Sequence, residues 1–442
     1  FKQKTAYEIR LSLVGSEMCI RDRLKGTVYL TSSKSVSNRV LLIQALSSQH
    51  FRAHNLADSM DTQILAEILK NETSGDHAST FKKLEVEVSY YTGHGGTTIR
   101  FLTAFFASRE GTRILTGSDR MNERPIKPLV DALIQLGAKI TYLNKEGFTP
   151  IKIEGAKLNG GDIEMDAGVS SQFITALLLI VPTLENGLNI HLKGKTASRS
   201  YILMTMKVLE HFGITYTWVN NIIAVPKQEY QGWDYHIESD WSSASYWYEI
   251  AALSEEVDLK IKGLRRKSIQ GDSVVANLFE FFGVRTVFTE EGITLSKTNY
   301  KPEAFDFDFT EYPDIAQTVA VVASGLKIPM QLNGLHTLYM KETDRVKALK
   351  TELKKIGITA DDSVKNSLAI SFSEIKKDSS NIFEPDLQFS TYHDHRMAMA
   401  FAPLALLYPE VKIESPTVVK KSYPDYWNDL KAMGFEIKEE NQ

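Results

Sequence analysis

The sequence predicts an α/β protein of two domains, each made of three repeated units. The chain has 442 residues, of which 43% are apolar. A chain of this length is too long for one ordinary hydrophobic core. A short amphipathic helix that ends at a glycine and precedes a strand-like segment recurs along the chain. The five glycines, which follow one another at intervals of 76, 70, 74 and 77 residues, are Gly137, Gly213, Gly283, Gly357 and Gly434.

Glycine after a helix is the expected capping residue, because it enters the left-handed backbone region freely. Near-constant spacing of such caps indicates a repeated unit. A sixth, degraded copy is predicted at 62–71, ahead of a strand at 83–91. Six units divide naturally into two domains of three, with helices packed under mixed sheets. We place the boundary near Tyr235–Asp240, ahead of a fresh apolar helix, and expect a ligand cleft between the domains.

Composition limits the possible functions. The formal net charge of −4 argues against a general nucleic-acid-binding surface, so any anion site must be a local group of cations. The longest nearly apolar runs, 173–184 and 397–408, are too short to span a bilayer. The single cysteine, Cys19, excludes an internal disulfide framework and a Cys-rich metal site. No secretory signal pattern is present, so a cytoplasmic protein is expected, or a plastid form without its transit peptide.

Residues 1–23 are left out of the fold prediction. The run AYEIRLSLVGSEMCIRDR within them resembles the translated sequencing-adapter tails found in some predicted proteins. We therefore interpret this segment, which includes Cys19, as a non-native tail.

The first charged motif, TSSKSVSNRVLL at 31–42, predicts a helix N-terminus flanked by Lys34 and Arg39. Serines favour helix caps, and the apolar residues that follow form the buried part of a helix. A helix N-terminus offers free backbone N–H groups and a partial positive charge, which suit a phosphate. On this stretch alone, a capped helix with two solvated cations is an equal alternative.

Similar motifs precede other predicted helices. The glycine-rich loop at 93–102 lets backbone N–H groups approach an anion. Arg120 and Arg124 form a like-charge pair that an anion would offset. Polar residues at 170–172 and 198–201 begin two further helices. Each stretch alone is equally explained by a tight turn, solvated cations or capping groups.

The second half continues the pattern with Asp314, the charged run Lys341–Arg345, and clusters at 394–399 and 419–424. Capping or a charged helix face explains each one separately. Together they would bind a very anionic substrate or two anions, with Asp314 and Glu342 as candidates for proton transfer. The cations expected to converge are Lys34, Arg39, Arg124, Lys341, Arg345, Arg396 and Lys421.

These motifs, in this order, closely resemble the EPSP synthase (3-phosphoshikimate 1-carboxyvinyltransferase) family of enolpyruvyl transferases. The motifs are SKSVSNR, LTGSDRMNERPI, SSQF, SSASY, PDIAQT, KETDR, DHRMAM and KSYPDYW, from about Leu24 to the C-terminus. The resemblance implies two domains of three βαβαββ repeats, with the active site in the interdomain cleft. It also implies two chain crossings. The expected C-terminal-half domain is 24–32 plus 240–442 and binds mainly phosphoenolpyruvate. The N-terminal-half domain is 33–239 and binds mainly shikimate 3-phosphate.

The implied reaction moves the enolpyruvyl group of phosphoenolpyruvate onto the 5-hydroxyl of shikimate 3-phosphate and releases phosphate. It passes through a tetrahedral adduct, belongs to chorismate and aromatic amino acid biosynthesis, and needs no metal or organic cofactor. The resemblance further implies a monomer that acts on these two small molecules and binds neither nucleic acid nor membrane.

The resemblance assigns roles residue by residue. Glu342 is the expected proton donor, Asp314 the base near the 5-hydroxyl, and Lys34 a catalytic residue that serves both substrates. Shikimate 3-phosphate would be held by Lys34, Ser35, Arg39, Ser170, Ser171, Ser198 and Lys341. Phosphoenolpyruvate would be held by Lys34, Gly96, Arg124, Gln172, Arg345, Arg396 and Lys421.

Two positions depart from the family pattern. His94 stands where the glycine loop usually has Asn, and Thr337 stands where Asn often precedes the K-E-x-D-R motif by four positions. His94 still offers a hydrogen bond, but its charge adds pH dependence. Thr337 reaches less far than Asn. Gly96 is kept, so glyphosate is expected to compete with phosphoenolpyruvate.

Three alternatives remain at this point. An enolpyruvyl transferase acting on UDP-N-acetylglucosamine would share the fold and the donor, but typically uses a loop cysteine as its acid. A non-catalytic anion-binding protein on the same scaffold would have lost Asp314 or Glu342, yet both are present. The chain would also fit one arm of a multifunctional shikimate-pathway protein.

Overall fold

The computed structural model describes residues 7–13, 23–73, 87–168, 170–194, 196–372 and 387–441. The strands are β1 (Tyr7–Leu13), β2 (Arg23–Tyr29), β3 (Ala53–His54), β4 (Val88–Tyr91), β5 (Gly111–Thr116), β6 (Lys139–Tyr142), β7 (Ile151–Gly155), β8 (Gly161–Asp166), β9 (Leu188–Lys193), β10 (Thr217–Val219), β11 (Ile222–Val225), β12 (Tyr235–His236), β13 (Glu256–Lys262), β14 (Val284–Phe288), β15 (Gly292–Lys297), β16 (Phe305–Asp308), β17 (Met330–Asn333), β18 (Ala360–Asp361), β19 (Leu368–Ile370), β20 (Gln388–Phe389), β21 (Val411–Glu414) and β22 (Phe435–Asn441).

The α-helices are α1 (Lys34–Leu46), α2 (Met60–Thr73), α3 (Gly96–Ala107), α4 (Asp119–Asn122), α5 (Lys127–Gln135), α6 (Ser171–Ile180), α7 (Arg199–His211), α8 (Trp241–Leu253), α9 (Val275–Leu278), α10 (Ala316–Gly325), α11 (Arg345–Lys354), α12 (His395–Phe401) and α13 (Tyr426–Ala432). Short 3₁₀ helices lie at Val181–Thr183, Gly271–Val274, Phe279–Phe282, Leu335–Met340, Ala402–Leu406 and Pro416–Lys421. None of the described helices is both long enough and apolar enough to cross a membrane.

The chain divides into two compact units. Unit 1 comprises Phe1–Thr31 and Ser239–Gln442, and unit 2 comprises Ser32–Glu238. Apart from the excluded tail, the predicted domain boundaries differ from these by one residue. In unit 1 the backbone N–H of Asp240 donates to the carbonyl of Thr31 (3.0 Å), and in unit 2 that of Ser33 donates to Glu238 (2.9 Å). The points where the chain leaves and re-enters each unit are therefore joined within that unit.

Among the described residues, five four-stranded sheets share one topology. Their orders are β4-β5-β7-β6 and β8-β9-β11-β10 in unit 2, and β2-β13-β15-β14, β16-β17-β19-β18 and β20-β21-β1-β22 in unit 1. In each order the first two strands are parallel and the other pairings are antiparallel. Unit 2 also holds the parallel pair β3–β12. Because a helix follows each of the first two strands in most copies, this is the predicted βαβαββ unit, and the fold prediction is confirmed.

The glycines that predicted the repeat have the expected backbone. Gly137, Gly213, Gly283, Gly357 and Gly434 have φ angles of 103°, 80°, 74°, 76° and 97°. Residues that carry a side chain rarely adopt this left-handed backbone conformation. Glycine adopts it freely, so each of these glycines lies where the chain turns away from its helix. At the predicted sixth copy the structure places α2 and β4, while residues 74–86 lie outside the described range.

The strand β1 is not predicted from the sequence, because residues 1–23 are interpreted there as a non-native tail. It lies between β21 and β22, with Ile9 opposite Ile413, and both Ile9 and Leu11 are buried. In the other four sheets the strand at this position is the last of the four strands along the chain. In this sheet the same position is held by β1, which comes from the N-terminal segment. Tyr7–Leu13 is thus part of the fold of unit 1. Cys19 lies outside the described residues, and the non-native origin of the tail stays a prediction.

Buried helices fix where polar groups gather. In unit 1, α8 and α12 are buried along almost their whole length, and aspartates cap their N-termini at Asp240 and Asp394. In unit 2, Gly95 and Ser170 are the N-cap residues of the apolar helices α3 and α6. Burial of the apolar helix bodies holds these N-terminal ends in place.

Candidate active site

Arg345 is the centre of the charged cluster in unit 1. It begins α11, its side chain is 1% exposed, and three carboxylates surround it. Its Nε and Nη2 donate to Asp394 at 2.7 and 3.3 Å, its Nη1 to Asp314 at 3.2 Å, and its Nη2 also to Glu342 at 2.9 Å. A guanidinium has five N–H donors in a rigid fork, so one arginine sets the relative positions of these carboxylates.

Asp314 lies between cations. Its Oδ2 accepts from Arg396 Nη2 at 2.9 Å, and its Oδ1 lies 3.5 Å from Lys341 Nζ and 3.2 Å from Arg345 Nη1. Burial acts to raise the pKa of Asp314, but Arg396, Lys341 and Arg345 outweigh it and hold that pKa well below its usual range. Asp314 is therefore an ionised acceptor.

Glu342 lies on the other side of Arg345. Its Oε2 accepts from Arg345 and its Oε1 from Lys421 Nζ at 2.5 Å, and its side chain is 12% exposed. Lys421 is itself buried at the end of the 3₁₀ helix Pro416–Lys421. The carboxylate thus bridges two cations that come from separate segments.

The turn before Asp394 is strained. Tyr392 and His393 have φ angles of 51° and 58°, a region that non-glycine residues occupy at a cost of about 1–2 kcal/mol each. The buried carboxylate of Glu352 accepts from the hydroxyl of Tyr392 (2.5 Å) and from the backbone N–H of Ser390 (3.0 Å). These bonds hold the turn that directs Asp394 toward Arg345.

A further carboxyl belongs to this cluster. Asp272 is 3% exposed and accepts a hydrogen bond from the hydroxyl of Ser242. Burial and then the charge of Asp314 raise the pKa of Asp272 to about 6, against smaller opposing effects of Ser242 and Arg396.

Unit 2 carries a second group of cations. Lys34, at the first position of α1, donates to Asp61 at 3.1 Å. Arg39 is 3% exposed and donates to Ser35 O, Tyr201 O and Thr205 Oγ1 at 2.6, 3.1 and 2.8 Å. Burial lowers the pKa of Arg39 to about 10. The hydrogen bonds of Arg39 to Tyr201 and Thr205 connect α1 to α7.

The glycine loop of unit 2 is enclosed by arginines. A Cβ built on Gly96 would lie 2.8 Å from Nη1 of Arg100 and 2.8 Å from both terminal nitrogens of Arg124. Arg100 Nη1 donates to Gln172 Oε1 at 2.5 Å. Only a residue without a side chain leaves the two guanidinium groups this close to the N-terminus of α3, where free N–H groups favour an anion.

The arrangement of motifs matches a known family. The sequence profile of the EPSP synthase (3-phosphoshikimate 1-carboxyvinyltransferase) family matches residues 19–430. A protein of Bacteroides fragilis strain YCH46 named 3-phosphoshikimate 1-carboxyvinyltransferase is 44% identical over 417 residues, which cover 94% of this chain and 97% of that protein. One of the same name from Photobacterium profundum is 36% identical over 426 residues, covering 92% of this chain and 96% of that protein. The chain belongs to the EPSP synthase family.

Solved structures support the fold. An EPSP synthase from Acinetobacter baumannii has a TM-score of 0.73 at 18% identity, covering 98% of this chain and 100% of that one. The enolpyruvyl transferase NikO from Streptomyces tendae has a TM-score of 0.70 at 16% identity, covering 99% and 100%. The predicted family and its enzyme class, a 3-phosphoshikimate 1-carboxyvinyltransferase, are confirmed, and the alternative that acts on UDP-N-acetylglucosamine is not favoured. Residues 1–18 lie outside the matched region.

The structure brings together most of the residues that EPSP synthase motifs predicted, within each unit. The unit 1 cluster holds Asp314, Lys341, Glu342, Arg345, Arg396 and Lys421. In unit 2, Gly96, Arg124 and Gln172 surround Arg100, while Lys34, Ser35 and Arg39 share α1. Ser170 caps α6, and Ser171 is the first residue of that helix. Ser198 precedes α7 at φ 52°.

Several residues of both clusters were missed by sequence reasoning. Asp394 and Arg100 lay inside motifs that were recognised, but their roles depend on partners far along the chain. Asp61 and Asp272 lay outside the recognised motifs, and Glu352 lay in the repeat helix before Gly357, where nothing distinguished it as a site residue. Each is a carboxylate within a helix, and that local signal is common.

The two residues that depart from the family pattern differ in exposure and in hydrogen bonding. His94 is exposed, and its Nδ1 lies 2.8 Å from the hydroxyl of Ser118. Thr337 is 9% exposed, and its hydroxyl has no hydrogen-bond partner among the described residues.

Proposed function

We propose that this chain transfers the enolpyruvyl group of phosphoenolpyruvate to the 5-hydroxyl of shikimate 3-phosphate and releases phosphate. Membership of the EPSP synthase family supports the reaction. The observation that best supports the residue roles is the ion-pair network around Arg345, in which Asp314 and Glu342 are held by cations.

The charges of this network explain how anionic substrates would activate it. Lys341, Arg345, Arg396 and Lys421 form ion pairs with carboxylates of the protein. A phosphate or carboxylate of a substrate competes for the same N–H donors and weakens their hold on Asp314 and Glu342. Substrate binding then moves the pKa of Asp314 back toward its usual range and makes it a better base.

In the proposed reaction Glu342, in its protonated form, donates a proton to the methylene carbon of phosphoenolpyruvate, which makes C2 electrophilic. The 5-hydroxyl oxygen bonds to C2 while Asp314 accepts its proton, and a tetrahedral adduct results. The Glu342 carboxylate then takes a proton back from the methyl group, the bond from C2 to the phosphate oxygen breaks, and phosphate leaves with that electron pair. Fixed cations stabilise the charge that develops on phosphate.

The remaining roles are assigned by family motif. Lys34, Ser35, Arg39, Ser170, Ser171, Ser198 and Lys341 would bind shikimate 3-phosphate, with Lys34 serving both substrates. Gly96, Arg124, Gln172, Arg345, Arg396 and Lys421 would bind phosphoenolpyruvate. We further propose that the protein acts in the cytoplasm as a monomer without a nucleic-acid or membrane partner, and size-exclusion chromatography with light scattering tests the monomer.

Phosphate release tests the function. We expect release only when shikimate 3-phosphate and phosphoenolpyruvate are supplied together. Glu342→Gln and Asp314→Asn should each lower kcat by about 10²–10⁴-fold, because each removes a group that transfers a proton. Asp362→Asn is the matched control, since Asp362 is a carboxylate of unit 1 paired with Lys350 at the surface.

Release from phosphoenolpyruvate alone, or full activity of Glu342→Gln, would contradict the proposal. UDP-N-acetylglucosamine should not replace shikimate 3-phosphate as acceptor. Glyphosate should raise the apparent KM for phosphoenolpyruvate without changing kcat, and unchanged kinetics at saturating glyphosate would refute that part.

A further inference from the structure

We propose that Arg100 is the positioning residue of the phosphoenolpyruvate subsite in unit 2, acting through Gln172. This inference depends on the proposed role of Gly96, Arg124 and Gln172 in binding phosphoenolpyruvate. None of the family motifs assigned a role to Arg100.

Arg100 joins three segments of unit 2. It lies one turn into α3 and is 3% exposed. Its Nη1 donates to Gln172 Oε1 at 2.5 Å and to Gly96 O at 3.4 Å, and its Nη2 donates to Pro125 O at 3.1 Å. The three acceptors belong to the start of α3, the residue after Arg124 and the start of α6. One buried side chain therefore sets the relative positions of three proposed ligands of phosphoenolpyruvate.

The bond to Gln172 also decides which way its amide faces. A guanidinium has donors only, so Gln172 must turn its carbonyl oxygen toward Arg100. The amide nitrogen is then the end that Gln172 offers elsewhere, and it carries two N–H donors. An amide held this way binds a carboxylate or phosphate oxygen, whereas the opposite orientation would present an acceptor and repel it.

Two features keep Arg100 in this orientation. Its guanidinium lies 5.1 Å from the ring centroid of the buried Phe173, a favourable cation–π contact. Gly96 contributes no side chain, so Arg100 and Arg124 approach the same point, where a Cβ would lie 2.8 Å from both. Like charges brought this close favour an anion beside them.

Arg113 provides a matched control within unit 2. It is also a buried arginine, 7% exposed, and lies 5.4 Å from the ring centroid of Phe106. Its Nη2, however, forms an ion pair with Glu72 at 2.8 Å, and its hydrogen bonds to described residues reach none of the proposed ligands of phosphoenolpyruvate. Arg113 therefore has the burial of Arg100 without its position in the subsite.

The test is a double-mutant cycle on the full chain with steady-state kinetics for both substrates. Arg100→Met should raise the KM for phosphoenolpyruvate by about 10–100-fold, the worth of a hydrogen bond to a charged group. The KM for shikimate 3-phosphate and kcat should change by less than about threefold. Gln172→Met should have a similar effect, and the double variant should be no worse than either single one, because Arg100 acts through Gln172.

Fold-changes that multiply in the double variant would overturn the proposal. If Arg100→Met does not fold, Arg100→Lys decides the question, because lysine keeps the charge but cannot join three acceptors. A folded Arg100→Lys with an unchanged KM for phosphoenolpyruvate overturns the proposal, and a raised KM at an unchanged melting temperature supports it. Arg113→Lys should lower the melting temperature and leave this KM unchanged.

The outcomes also separate this inference from the proposed function. If Gln172→Met leaves the KM for phosphoenolpyruvate unchanged, the subsite assignment fails and the role of Arg100 is overturned with it. If Gln172→Met raises that KM and the Arg100 variants do not, only the role of Arg100 is overturned.

Discussion

At Gly96, a single methyl group would reach the side chains of two arginines. We expect Gly96→Ala to raise the KM for phosphoenolpyruvate by about tenfold or more, because the added Cβ would lie 2.8 Å from Arg100 and Arg124 and displace them. The melting temperature should change little, since Gly96 lies in an α-helix, where alanine is favoured. Steady-state kinetics and thermal unfolding measure the two effects.

Gly137→Ala is the control for this prediction, and it should behave in the opposite way. No atom lies within 4 Å of its added Cβ, but its φ of 103° strains any side chain. Its melting temperature should fall while the KM for phosphoenolpyruvate stays unchanged. Equal effects of the two variants on both quantities would contradict the assignment of the Gly96 contact.

Asp272 makes stability depend on pH. Its folded-state pKa of about 6 lies above the usual 3.8, so the folded protein binds a proton there more tightly than the unfolded chain does. Stability is lost as pH rises from about 4 to about 6, and the loss persists at higher pH. Asp272→Asn removes this loss, so the variant should exceed the parent in free energy of unfolding above pH 6, by at most about 3 kcal/mol.

Urea unfolding between pH 4 and pH 8 measures this difference, which should vanish toward pH 4. Asp362→Asn, at the surface of the same unit, should show no such trend. A variant of Asp272 that is less stable than the parent at pH 7.5 would contradict the prediction.

At the scale of elements, local signals predicted the helix ends and missed the pairings between them. A cap, a glycine or a charged residue before an apolar run is visible within a few residues, so the starts of α1, α6 and α12 followed from sequence. The bonds that make these ends a site join residues 27, 49 and 72 positions apart: Lys34 with Asp61, Arg345 with Asp394, and Arg100 with Gln172. Such separations are far longer than the helix and strand periods of 3.6 and 2 residues, so only the fold specifies these pairs.

The strand β1 makes a prediction at this scale. A chain that begins at Leu24 would lose β1 and expose the facing edges of β21 and β22. Burial of Ile9 and Leu11 is worth about 1.5–3 kcal/mol each, so we expect a free energy of unfolding lower by roughly 3–6 kcal/mol. Chemical unfolding of the two chains side by side gives the difference. Equal stability would mean that β1 contributes nothing, as a non-native tail would.

At the scale of the whole molecule, the chain path makes unit 2 a continuous insertion into unit 1. Unit 2 runs from Ser32 to Glu238, and its two ends are joined by a hydrogen bond from the backbone N–H of Ser33, its second residue, to the carbonyl of Glu238, its last. We therefore expect a chain of Ser32–Glu238 to fold alone and unfold cooperatively on heating, as followed by circular dichroism. The segment Ser239–Gln442 should not fold alone, because β1 and β2 would be missing from two of its sheets. A broad transition for the isolated unit 2 would contradict this prediction.

The place of β1 also has a consequence for biosynthesis. Among the described strands a ribosome makes β1 before all others and its two neighbours, β21 and β22, after all others, so the sheet they share cannot close until about 400 further residues have been made. At about 5–20 residues per second, the apolar side chains of Ile9 and Leu11 wait on the order of 20 to 90 seconds for their partners. Unit 2, made in between, is complete well before then. During that interval the nascent chain carries a complete unit 2 and, N-terminal to it, an apolar strand whose partners are not yet made, and such exposed strands favour aggregation.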